Sequence, residues 1–151
     1  MANREIWKPV PSYEGFYEVS SLGRIRGVDR VIMRKNGKKY TVKGAILSPS
    51  KRGYDGYLDI SLRREGHQKT HKIHRLVMLT FVGEPPEGKY EVDHKDGDPE
   101  NNRLSNLEYV SRKENYMRMA ANQGRGALVE RLEQLEKRVS ELEAKLGGRD
   151  E

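Results

Sequence analysis

The chain has 151 residues, of which 34% are hydrophobic and 34% charged, against roughly 45–50% and about 25% in ordinary soluble domains. That balance leaves room for a small core only, and no stretch approaches the roughly 18 apolar residues of a membrane span. With no cysteine at all, disulfides, thiolate zinc sites and cysteine nucleophiles are excluded. The first residues, Met1-Ala2-Asn3-Arg4-Glu5, lack the apolar stretch of a signal peptide, so a cytosolic protein is expected. The net charge of +6 is unevenly spread. Residues 4–75 hold 17 basic and 7 acidic side chains, whereas 76–124 hold 6 and 9. A basic front beside an acidic middle suggests a grip on a polyanion next to a site that uses carboxylates.

Residues 1–73 read as an antiparallel β-rich region, with turns expected at Asn36-Gly37, Asp55-Gly56 and Glu65-Gly66. Leu58, Ile60 and Leu62 alternate with Asp59, Ser61 and Arg63, the period of a strand with one buried face. Thr70–Ile73 can return as its hairpin partner, and Phe16–Val19 with Arg24–Val28 form an earlier pair. Residues 74–122 begin with a helix over His74–Val82, stopped by Gly83 and Pro85-Pro86. A strand at Tyr90–His94, a polar loop at Lys95–Asn106 and a strand at Leu107–Val110 follow. Ser111 and Glu114 fit a capping box that starts a helix reaching Asn122.

Residues 123–127 are expected to form a glycine hinge before a helix at 128–147. There Leu128, Leu132, Leu135, Val139, Leu142 and Leu146 are spaced as a heptad seam. Arg131 and Arg138 fall at g and Glu136 and Glu143 at e, which in a parallel assembly places opposite charges across the seam. A coiled-coil homo-oligomer is expected, a dimer favoured and a trimer open. An amphipathic helix folded back on its own domain is the other reading of the stripe.

The densest polar cluster runs from Glu91 to Asn102. An EF-hand beginning at Asp96 would need Gly sixth and Glu twelfth, but Asn101 and Leu107 stand there. The alternative is a strand–loop–strand–helix unit whose polar groups converge from the first strand and the helix's first turn. Asp93 and Asn115 offer a carboxylate and an amide oxygen, hard donors suited to Mg²⁺ or Mn²⁺. His94 beside such an ion can take a proton from water near neutral pH. Metal, base and basic flank together describe phosphodiester hydrolysis. Asn101 and Asn102 read most simply as loop residues that satisfy the backbone, and Tyr54 and Tyr57 as core or base-contacting rings.

The stretch Val92–Asn115 resembles the HNH (ββα-metal) nuclease motif, in the form found in phage and intron-encoded HNH homing endonucleases. The resemblance is carried by His74-Arg75-Leu76-Val77, Asp93-His94-Lys95-Asp96-Gly97, Asn101-Asn102, Asn106-Leu107 and Glu114-Asn115. The front, from Glu5-Ile6-Trp7-Lys8 to Leu22-Gly23-Arg24-Ile25, is similar to the modular N-terminal element of those nucleases. The resemblance implies His94 as general base, Asp93 and Asn115 as ligands of a single Mg²⁺ or Mn²⁺, and Asn106 as the residue bracing the loop. With Asn115 at the motif's third position, bound Zn²⁺ is disfavoured.

The expected protein is therefore an α+β DNA endonuclease with a β-rich DNA-binding front, a ββα-metal HNH motif and a C-terminal coiled-coil helix. Double-stranded DNA is the expected substrate, cut on one strand by a protomer or on both by a dimer. Arg24, Arg26, Arg30, Lys51, Arg52, Arg63, Arg64, Lys69, Lys72, His74 and Arg75 are its candidate nucleic-acid contacts. Two other readings stay open: a DNA-binding module without catalysis, and an adaptor whose business is the coiled coil.

Overall fold

The computed structural model describes residues 4–122 and 126–147. The chain divides into two units, 1–109 and 110–151. In the first, β1 (Trp7–Pro9), β2 (Tyr17–Ser20) and β3 (Ile25–Gly27) form one antiparallel sheet. β4 (Arg30–Met33) and β5 (Lys39–Val42) make a separate hairpin across the expected Asn36-Gly37 turn. β6 (Ser50–Lys51), β7 (Leu58–Arg64) and β8 (His67–Lys72) form a third sheet. Helix α1 (Ile73–Phe81) follows directly, and β9 (Tyr90–His94) pairs with β10 (Leu107–Ser111), inside which the division falls.

Alternation explains most of the core. Tyr17 and Val19 of β2, Ile60 and Leu62 of β7, and Ile73, Leu76, Val77 and Met78 of α1 are buried together with Val10, Ile25 and Leu107. The Tyr17 hydroxyl ties β2 to β7, donating to the Arg63 carbonyl and accepting from its N–H, each at 3.2 Å. Asp59 departs from the simple alternation, which places it outside. It is buried because Lys72, its cross-strand partner, reaches its carboxylate at 3.2 Å. The β7–β8 turn uses positive φ at both Glu65 (52°) and Gly66 (82°), the backbone of the tight hairpin turn that matches strand twist. Helix α1 stops at Gly83, whose φ of 101° lets its N–H close on the Met78 carbonyl at 3.0 Å.

One contact joins the N-terminal sheet to the loop between β9 and β10. Buried Ser20 accepts the N–H groups of Leu22 and Arg24 on its Oγ, shaping a tight turn. The Ser21 carbonyl then accepts the Leu104 N–H at 2.9 Å. Gly23, at φ 83°, lies so close that a Cβ would stand 2.6 Å from the Asn102 carbonyl oxygen.

In the second unit, helix α2 (Arg112–Asn122) starts as expected. Ser111 Oγ accepts the Glu114 N–H at 3.2 Å, and Glu114 accepts the Ser111 N–H at 3.0 Å. Helix α3 spans Gly126–Gly147, so Gly126 and Ala127 are helical rather than part of a hinge. The remaining hinge positions, 123–125, lie outside the described residues, as does the side chain of Leu128. Helices α2 and α3 pack on each other: Lys113 pairs with Glu136 at 2.7 Å, and Leu132 lines a cleft with Tyr116 and Met117. Past Leu132, the stripe stays half-exposed at Leu135, Val139 and Leu142, and Leu146 more so. Part of the seam is thus turned toward its own unit.

The Gly23 contact yields a first prediction. Gly23→Ala combines a disfavoured φ with a backbone clash and is expected to destabilise the protein by about 1–3 kcal/mol or more. Denaturant unfolding measures this, and a loss below about 0.5 kcal/mol would mean the turn and loop separate easily.

Candidate active site

The loop between β9 and β10 is built around Asn106. Its Nδ2 donates to the Asp96 carboxylate at 2.9 Å and to the Asn101 carbonyl at 2.8 Å, while its Oδ1 accepts the Asp96 N–H at 3.2 Å. Its own carbonyl accepts the Lys95 N–H at 2.8 Å, directly after His94. Asp96 and Asp98 cap turns of the same loop through the N–H groups of Asp98 and Glu100. The Asn101 side chain donates to Asp96 at 2.7 Å. These donors, the Asn101 amide foremost, hold the Asp96 carboxyl below its ordinary value.

His94 ends β9 with its ring buried. Its Nε2 meets Asn102 Oδ1 at 3.0 Å, and Asn102 is itself buried. Tyr57 stacks on the His94 ring (centroids 5.6 Å apart), and His74 meets it edge-on at 5.2 Å. Tyr57 also packs on His74 at 4.7 Å. His74 Nδ1 is buried with no hydrogen-bond partner. Burial first, and the neighbouring His94 charge second, push His74 down to about 4, so near neutral pH its ring carries no charge. Asn102, read from the sequence as a loop residue that satisfies the backbone, turns its side-chain oxygen to His94 instead. It faces a histidine, and only the three-dimensional closure of the loop makes that visible.

Comparison with known proteins places this geometry. A NUMOD4 motif matches residues 5–63, and an HNH endonuclease model matches 71–117. The DNA endonuclease I-HmuI of Bacillus phage SP01 is 39% identical over 109 residues, covering 72% of this chain and 54% of that protein. The HNH endonuclease L247 of Acanthamoeba polyphaga mimivirus is 38% identical over 122 residues, covering 78% and 27% respectively. A solved structure described as DNA binding and cleavage by the HNH homing endonuclease I-HmuI superposes with a TM-score of 0.60 at 35% identity. It covers 80% of this chain and 60% of that one.

The chain carries an HNH endonuclease domain behind a NUMOD4 motif. It spans about half the length of the phage enzyme and about a quarter of the mimivirus protein.

Within the HNH domain, Asp93 is half-buried beside His94 on β9, and Asn115 sits in the first half of α2, in the second unit. Among the described residues, no group of three or more His, Cys, Asp or Glu is placed to hold a metal ion. None of the described helices is long and apolar enough to cross a membrane.

The basic residues of the front separate into two sets. Arg24 pairs with Glu5 and Arg26 with Glu18, and both guanidiniums lie over the Trp7 ring. Lys51 pairs with Glu100, and Lys72 with Asp55 and Asp59. Arg30 and Arg64 both lie over the Phe16 ring, each 5.2 Å from its centroid, with Arg64 also donating to the Ser12 carbonyl. His74 is interior, not at a surface, because α1 lays it against Tyr57. Arg52, Arg63, Lys69 and Arg75 are exposed and form no ion pair among the described residues.

The burial of His74 sets a pH dependence. A histidine with an ordinary value of 6.5, held at about 4 when folded, takes up a proton in the unfolded chain before the folded one. Its contribution is therefore present above pH 6.5 and lost as pH falls toward 4. His71, lowered by burial and then by Lys69, acts in the same direction. Melting temperature is expected to drop across that window, less steeply in His74→Phe, which retains a ring against Tyr57. Parallel slopes for the two proteins would show that His74 does not fold as the neutral imidazole.

Proposed function

We propose that this protein is a divalent-metal-dependent DNA endonuclease in which His94 is the general base. The observation that carries the reading is the Asn102–His94 hydrogen bond inside the braced loop. An amide oxygen can only accept, so Nε2 carries the proton of the neutral ring and Nδ1 is left as the basic atom. His94 then takes a proton from the attacking water as its oxygen bonds to phosphorus and the bond to the 3′ oxygen breaks. Neutral His74 beside it adds no charge to oppose that protonation. Tyr57 and His74 fix the ring's plane, so little reorientation is needed.

Asp93 and Asn115 are the residues we assign to the metal. A carboxylate and an amide oxygen are hard donors, and two of them would leave positions for water and phosphate, which fits Mg²⁺ or Mn²⁺ better than Zn²⁺. A bound divalent cation supplies positive charge to the scissile phosphate and the leaving oxygen. Asn106 does not face the reacting groups in this reading; it holds the loop that positions His94 and Asp93.

Self-association through α3 is part of the proposal, with a dimer favoured and a trimer the alternative. It is supported by the half-exposed Leu135, Val139 and Leu142 and by the g and e charges that flank them. A dimer would allow paired nicks to become a double-strand break.

Supercoiled plasmid tests the chemistry. Nicking or linearisation is expected with Mg²⁺ or Mn²⁺ and not with EDTA, falling by about 10²-fold or more in His94→Ala. Asn102→Ala is expected to slow the reaction less, since it removes the ring's orientation and not the base. DNA binding without cleavage in any metal would establish a non-catalytic module instead, and equal cleavage by His94→Ala would dismiss His94 as base. Sedimentation of wild type against Leu135→Asp/Leu142→Asp tests assembly: the wild type should be oligomeric and the variant monomeric. A monomeric wild type at high concentration would remove the oligomer.

A further inference from the structure

We propose that Lys72 is a positioning residue for His94: held between Asp55 and Asp59, it sets the Tyr57 ring against which the His94 ring lies. The inference rests on the reading of His94 as general base, and it takes Lys72 out of the set of side chains expected to meet phosphate.

The first observation is how Lys72 is held. It stands across the β7–β8 hairpin from buried Asp59, and its Nζ lies 3.2 Å from that carboxylate and 2.8 Å from Asp55. An ammonium has three donors, and two carboxylates converge on this one. The Asp55 bond foremost raises Lys72 above its ordinary value, and the Lys72 bond foremost lowers Asp55. All three groups therefore stay charged, and two carboxylates against one ammonium leave the trio net negative. A phosphate approaching it meets repulsion and not a free cation.

The second is what the trio carries. Asp55 Oδ1 accepts the Tyr57 N–H at 3.2 Å, while its Oδ2 accepts from Lys72. Lys72 Nζ also lies 5.5 Å from the Tyr57 ring centroid, close enough for attraction to the ring's negative face. Backbone and ring of Tyr57 are thus tied to one ammonium. That ring stacks on His94 with 26° between the planes.

The third is that the segment 51–57 is seated on the loop that holds His94. Lys51 pairs with Glu100. Gly56, at φ 74°, lies so near Pro99 that a Cβ would stand 3.2 Å from the proline Cγ. Tyr57 therefore reaches His94 from a segment already docked beside it, and the Lys72 trio fixes how its ring is set. A base turned out of line lowers the turnover of bound DNA and leaves binding as it was.

Two variants separate this role from a phosphate contact. Lys72→Gln removes the ammonium, and Asp55→Ala removes an exposed carboxylate that accepts from both Lys72 and Tyr57. Circular dichroism and thermal melting verify that each folds. Lys72→Gln/Asp59→Asn, which leaves no buried charge unpaired, replaces Lys72→Gln if that variant unfolds. Single-turnover nicking of supercoiled plasmid by saturating enzyme is expected to slow by roughly 10- to 100-fold in both. Affinity for a labelled duplex in EDTA, and its salt dependence, should match wild type. The His94 ring resonances of the metal-free protein, assigned by their absence from His94→Ala, should shift in both variants, which a loss of stability alone does not produce. A slope of log K against log salt lower by about 0.9 in Lys72→Gln, with bound plasmid cut at the wild-type rate, would make Lys72 a phosphate contact and overturn the proposal. Unmoved His94 resonances, or an unchanged rate in Asp55→Ala, would overturn it as well. Undiminished cutting by His94→Ala would instead overturn the base reading beneath it, and the resonances report the setting of the ring independently of that result.

Discussion

The close approach of Gly23 to Asn102 is the constraint on which the site depends. Asn102 holds the buried nitrogen of His94, so anything that shifts the Asn102 backbone shifts the ring. The turn at Ser20–Gly23 belongs to the NUMOD4 motif and the loop to the HNH domain. The two are bonded through Ser21 and Leu104 and share one core, in which Tyr17 and Val19 pack with Ile60, Leu62 and the buried face of α1. The front module is thus a wall of the loop that holds His94 as well as a source of positive charge.

Charge in this protein is partitioned by use. Arg24, Arg26, Lys51 and Lys72 are matched to carboxylates, and Arg24, Arg26, Arg30 and Arg64 lie over Trp7 or Phe16, where they stiffen the scaffold. Such pairs are half-exposed and worth little individually, yet each also leaves one cation fewer unmatched at the surface. The positive potential that remains is carried by a few exposed side chains. A count of Lys and Arg along the chain does not make that distinction, because it depends on which carboxylates come near in space.

Much of the architecture is legible from local pattern. The alternation of Leu58, Ile60 and Leu62, the Glu65-Gly66 turn, the helix stopped by Gly83 and the Ser111–Glu114 box all act through neighbours in sequence, and all appear in the structure. The failures are non-local. Asp59 is buried because Lys72 stands across the hairpin, and His74 and Asn102 are buried because α1, β7 and the loop converge. The strands of β4 and β5 carry so many exposed side chains that no burial pattern marks them, although the Asn36-Gly37 turn does. The helix at 126–147 is readable from its heptads, but its packing on α2 through Lys113 and Glu136 is not.

The glycine crossing at the root of the β4–β5 hairpin has an evolutionary consequence. Because Gly27 and Gly44 meet backbone to backbone, the strands leave the core and return to it at one point. Beyond Asp29, which ties to Gly44, and Arg30, whose guanidinium lies over Phe16, residues of the hairpin can be added, removed or exchanged with little change in the core. Loop-closure cost grows only slowly with length, so such changes are cheap. The projecting hairpin can thus vary in sequence and length while the loop that holds His94 stays as it is.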